Sequence, residues 1–127
     1  MPTVYKGVYL RYFSEREILE DFSCSFTGKH GMDPKFMARL DEVRHLSKFP
    51  FHITSGYRHP THPIEAAKST PGTHSRGIAA DIAVSSSAQR YTLVDMAIQM
   101  GFKGIGVASK FVHLDDREGP AVMWTYP

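Results

Sequence analysis

Apolar positions along the chain fall into blocks of two periods. Residues 4–12 are dense in apolar side chains and fit a short strand or an extended lead-in. Ser14-Glu15-Arg16-Glu17 has the form of a capping box, with Ser14 capping a helix and Glu17 reaching back to it. That helix is expected to run to about Phe22, with Ile18, Leu19 and Phe22 inward. Residues 23–32 hold two glycines and Cys24 and read as loop. Asp33-Pro34 opens the next helix, Asp33 as N-cap and Pro34 in the first turn. Phe36, Met37, Leu40, Val43 and Leu46 recur at helical spacing, and the helix should end before Pro50. Residues 51–55 read as a strand. Residues 56–73, with three prolines and two glycines, suit neither regular structure, and a loop of that length is usually functional or mobile.

Residues 78–84 are almost continuously apolar, the pattern of a strand buried inside a sheet. Ser86 or Ser87 caps a third helix, with Tyr91, Leu93 or Val94, Ala97 and Met100 inward and Gly101 just past its end. Residues 102–107 and 111–115 read as two antiparallel strands joined by a tight turn near Ala108-Ser109, and residues 121–126 as an added edge strand. Helices come early and strands mostly late. That order predicts an α+β fold: an antiparallel sheet flanked by about three helices.

A length of 127 residues suits one domain spanning 1–127. With 42% hydrophobic and 22% charged residues, the chain is ordinary globular material. A net charge of +2 suggests neither a nucleic-acid partner nor a membrane surface, and no stretch nears the ~18 apolar residues of a membrane span. A single cysteine, Cys24, forms no internal disulfide. The first residues lack a basic and then apolar signal pattern, so synthesis in the cytoplasm is the expectation, and a monomer is the expected form. Seven histidines are the one compositional oddity, and they turn attention to metal chemistry.

His74-Ser75-Arg76-Gly77-Ile78-Ala79-Ala80-Asp81 is followed, far along the chain, by Val112-His113-Leu114-Asp115. Two histidines and a carboxylate supply three zinc ligands and leave a fourth position for water. Asp81 lies in an apolar strand, where an isolated charge would be costly unless paired or metal-bound. Gly77 lets the chain turn between His74 and that strand. Taken singly, each residue is as well explained by an ordinary buried hydrogen bond; together they point to one metal ion. His30, His45 and His52 have no metal-like partners in the pattern, and His59 and His62 read as solvated loop residues.

Thr54-Ser55-Gly56-Tyr57-Arg58, His74-x-x-Gly77-x-Ala79-x-Asp81 and Val112-His113-Leu114-Asp115, in that order, resemble the zinc D-alanyl-D-alanine peptidases, whose fold is shared with the Hedgehog signalling domain. The resemblance spans roughly residues 12–117 and is closest to small phage and bacterial enzymes that act on peptidoglycan peptides. It implies one zinc ion held by His74, Asp81 and His113, with Arg58 facing the substrate and Ser55 anchoring the loop or touching the substrate. It implies a peptidoglycan stem peptide as substrate, cleaved at the bacterial wall after lysis or from a virion.

The chain departs from that family in two places. Gly72 stands where many members have serine. No carboxylate occurs in residues 107–112, where many members place an acidic base. Asp115 is the nearest substitute, since strand alternation puts it on the face of His113, and it reads both as a proton acceptor and as a carboxylate that steadies a ligand. Glu65 and His59 stand in reserve, while Asp116 and Glu118 read as solvated. Two other readings stay open: a zinc domain without catalysis, and a metal-free polar cluster.

Overall fold

The computed structural model describes residues 2–70 and 72–127. Met1, at the start of the segment judged for a signal pattern, and Pro71, one of the prolines of the long loop, lie outside them. The fold is α+β. A hairpin of β1 (Thr3–Tyr5) and β2 (Val8–Leu10) leads into α1 (Glu15–Glu20) and α2 (Pro34–Ser47). Then come β3 (Ile53–Ser55), the single turn α3 (Pro63–Ala66), β4 (Ala79–Ala83), α4 (Ser87–Gln99), β5 (Gly104–Val107), β6 (Phe111–Asp115) and β7 (Val122–Thr125).

The helix starts lie where side-chain caps place them. Ser14 and Glu17 form the reciprocal capping box, Asp33 accepts from the Phe36 amide, and Ser86 accepts from the Gln89 amide. Each satisfies amides that the first helical turn leaves without partners. Three inward assignments are corrected: Leu19 is 52% exposed, Tyr91 75% and Leu46 38%. A helix of six residues has one buried stripe, and α1 gives it to Ile18. On α4, Leu93 rather than its neighbour takes the fully buried position, with Ala97 one turn on.

The main sheet runs β3-β4-β6-β5-β7. Its first four strands pair antiparallel, but β7 pairs parallel to β5, so the sheet is mixed rather than antiparallel. The long loop is also more regular than expected, because Pro63 starts α3 and makes a fourth helix. Alternation along the strands then divides the sheet into two faces. Ala80, Ile82, Ile105, Val112 and Leu114 join Phe36, Leu40, Leu93 and Ala97 in one core. Asp81, His113 and Asp115 occupy the opposite face, with Asp81 directly across from His113 in the β4–β6 register.

Candidate metal centre

The third member of the cluster arrives from the loop before β4. The His74 carbonyl accepts from the Arg58 and Gly77 amides, which ties the two ends of the long loop together. Gly77 then turns the chain with φ of +73°, and its carbonyl accepts from the Asp33 amide at the head of α2. A β-carbon at this glycine would lie 1.9 Å from the Gly31 carbonyl oxygen. Gly77→Ala is therefore expected to cost more than ~1 kcal/mol, since alanine at positive φ is strained even without an overlap. Thermal melts would check this, and the same variant should bind zinc more weakly because His74 is displaced from Asp81.

His74, Asp81 and His113 are all buried, and one ligand atom from each lies within 4.8 Å of the others. Asp81 Oδ1 is 3.0 Å from His113 Nδ1 and 3.4 Å from His74 Nε2. The outer nitrogen of each ring is already engaged. His74 Nδ1 donates to the Gly56 carbonyl at 2.7 Å, and His113 Nε2 lies 2.7 Å from Asp115 Oδ2. Acceptors on the outer nitrogens orient the rings, so that each inner nitrogen, on giving up the proton it shares with Asp81, turns a lone pair toward the same point, as metal-bound histidines require. Two neutral nitrogens and a carboxylate oxygen with one side open form the donor set of a catalytic zinc site, and the residues fit that ion.

The electrostatics agree with this fit. Burial pushes the Asp81 carboxyl upward, but hydrogen bonds from His113 and His74 outweigh it and hold Asp81 well below the usual carboxylate range. Burial pushes His113 down, and Asp115 and Asp81 more than reverse that. A divalent cation would take the place of the ring protons that now lie between the histidines and Asp81.

The open side faces a cleft of about 700 Å³. Arg58, Lys68, Arg76 and Arg117 line it together with the aromatic side chains of Phe111, Trp124 and Tyr126. Arg58 lies beside the cluster, its Nη2 3.9 Å from Asp81 Oδ2. Ser55 lies one strand away, in a hollow whose lining also includes Arg58. It pairs beside Asp81 in the β3–β4 register, and Glu20, Asp21 and Tyr57 line the same hollow.

Asp115 shares the face of His113, as alternation predicts, but lies on the outer side of the ring. Its Oδ2 takes His113 Nε2 and Arg117 Nη2, both at 2.7 Å. Its Oδ1 takes the Arg117 amide at 3.1 Å and Arg117 Nε at 2.9 Å. The carboxylate is fully buried, and the hydrogen bonds to it run to His113 and Arg117. The nitrogen it touches is the one turned away from Asp81.

The reserve candidates are also placed. Glu65 is buried under the loop, with Oε1 accepting from the Gly72 amide at 2.8 Å and from Ser75 Oγ at 3.1 Å. Its Oε2 faces Lys68 at 3.0 Å and Arg58 at 3.4 Å. Burial raises its carboxyl, but the Gly72 amide, Lys68 and Ser75 more than offset this and hold it at about 2. With both oxygens held by donors and no place in the lining of the cleft, Glu65 is a loop anchor. Its depressed value means that its stabilisation is present above the ordinary 4.5 and is lost as pH falls towards about 2. Glu65→Gln is thus expected to cost on the order of 3 kcal/mol at neutral pH and little at pH 2, measurable by urea unfolding at both.

His59 lies outside the cleft, its Nδ1 2.9 Å from Thr61 Oγ1. Asp116 is half-buried and bound by Arg39 at 3.1 Å rather than solvated. Glu118 is exposed as expected, but it lines the mouth of the cleft and meets Arg76 at 2.6 Å. Among the described residues lining the cleft, Asp81 and Glu118 are the carboxylates. The aromatic wall to which β7 contributes Trp124 went unread in the sequence, because Trp124 meets Gly106 only once β7 is paired with β5.

No curated protein matches the chain. A family model does, and it covers both histidines, Asp81 and Arg58: over residues 11–115 the chain matches Peptidase M15, a family of zinc-dependent peptidases, and it belongs to that family.

Proposed function

We propose that the protein is a zinc metallopeptidase that hydrolyses peptide bonds involving D-residues in peptidoglycan stem peptides or cross-bridges. The observation that carries this reading is the convergence of His74, Asp81 and His113 at the floor of a cleft whose rim holds Arg58. Zinc, when bound there, lowers the pKa of a water molecule to near 7 and polarises the scissile carbonyl. The chain supplies the rest. Arg58 offers a planar, permanently charged fork to a substrate carboxylate or a developing oxyanion. Glu65 holds that guanidinium in place from beneath. Phe111, Trp124 and Tyr126 exclude water from one side of the cleft.

Within this proposal, Asp115 positions His113, and Glu118 accepts the proton of the attacking water and returns it to the leaving amine. Glu118 is the cleft carboxylate not committed to the metal or buried beneath it. Arg76 holds its carboxyl below the ordinary glutamate range by a direct hydrogen bond. Action at the bacterial wall, as a phage lysis or virion-borne enzyme, is the context proposed for this activity.

Purified peptidoglycan incubated with the zinc-loaded protein should release defined peptide fragments, identified by mass spectrometry, and a chelator should stop their release. Full zinc occupancy without any fragment would replace this reading with that of a non-catalytic zinc domain.

A further inference from the structure

The family match ends at residue 115, yet the polypeptide beyond it returns to the site. Arg117 lies two residues after Asp115 and binds it through three donors: the backbone amide, Nε and Nη2. The guanidinium is also stacked on Trp124, 4.8 Å from the ring centroid. The Trp124 ring in turn lies 5.3 Å from the His113 imidazole. Trp124 belongs to β7, the strand that joins the sheet parallel to β5.

The backbone of β5 is cut away to admit these groups. A β-carbon at Gly104 would come within 2.2 Å of Asp115 Oδ1, and one at Gly106 within 2.7 Å of Trp124 Nε1. Gly104 faces Asp115 in the register with β6, and Gly106 faces both His113 and Trp124. The two glycines therefore form the floor on which Asp115 and Trp124 rest, one on each side of Arg117.

We infer that Arg117 and Trp124 are positioning residues of the metal centre: the C-terminal strand holds Arg117, Arg117 fixes the Asp115 carboxylate, and Asp115 fixes the ring of His113. The inference rests on the zinc reading of the site and adds a support that the ligands alone do not show. A free aspartate side chain has two rotatable bonds. The fork contact from Arg117 leaves Oδ2 one orientation, aimed at His113 Nε2, and the Trp124 ring stops the guanidinium from swinging out to solvent. Partners of this kind, one step removed from the metal, are typically worth about 10–100-fold in metal affinity.

The test measures zinc affinity by competition with a chromophoric chelator, without reference to peptidase activity, in the full chain. Arg117→Ala should bind zinc about 10–100-fold more weakly. Arg117→Lys keeps the charge but loses the fork, and it should recover only part of that loss. Trp124→Ala leaves every donor to Asp115 in place and should weaken zinc severalfold, while Trp124→Phe should restore the parent value. With cobalt in place of zinc, the visible absorption bands of Arg117→Ala should differ from those of the parent, because His113 is reoriented. Parent-like affinity in folded Arg117→Ala, or in Trp124→Ala if the former does not fold, would overturn the inference. So would losses of zinc affinity no larger than the accompanying losses of metal-free stability. A parent that binds zinc but cleaves nothing would overturn the peptidase reading and leave this assignment standing. A parent that binds no zinc would overturn both.

Discussion

Alanine in place of His113 should remove the zinc dependence of both activity and stability. In the proposed site, three side chains brought together from the long loop, β4 and β6 would hold the ion. An ion that binds only the folded state stabilises it by mass action, about 2.7 kcal/mol at 100 times the dissociation constant. For a domain of this size that is roughly a 10 °C rise in melting temperature. Chelation should reverse the rise in the parent and change nothing in His113→Ala, whose remaining His74 and Asp81 give two ligands on one side of the cleft. Peptide release should fall to background, because no neighbouring side chain replaces a missing nitrogen. Scanning calorimetry with and without chelator, alongside elemental analysis, reads both halves. A variant that kept one equivalent of zinc and the full melting shift would remove His113 from the ligand set.

Much of this site was legible because its signals are local. Helices α1, α2 and α4 each announce themselves by a cap at the first turn, and Ser14, Asp33 and Ser86 all act where the pattern places them. The candidate ligands on the sheet are legible for a related reason: β4 and β6 pair with Asp81 across from His113, and simple alternation puts both on one face. What alternation does not give is direction within that face. Asp115 is on the side of His113 but also next to it along the same strand, so it meets the outer edge of the ring and not the focus beyond it. Strand direction at the edge was equally hidden. Whether residues 122–125 run parallel or antiparallel to β5 depends on the path of residues 116–121, which carry no periodic pattern. Arg117 and Trp124 were missed with it, since their contacts exist only once β7 is seated.

Two carboxylate variants should separate along the two roles proposed for them. Asp115→Asn keeps the size of the side chain, but it weakens the charge-assisted bond to His113 Nε2 and the fork to Arg117. Its deficit should be one of occupancy, with zinc bound about 10–100-fold more weakly and most of the turnover rate regained when zinc is raised to saturation. Glu118→Gln sits at the mouth of the cleft, touches none of the three ligands, and leaves the neighbouring Arg76 as a hydrogen-bond partner. Its zinc affinity and melting temperature should match the parent. Its turnover should fall by about 10²–10⁴, the usual worth of general acid–base help, and added zinc should not restore it. Steady-state kinetics on a soluble stem peptide at saturating zinc, from pH 5 to 9, distinguishes the cases. Near-parental turnover in Glu118→Gln would remove Glu118 from proton transfer. A deep loss in Asp115→Asn that persists at saturating zinc would return that role to Asp115.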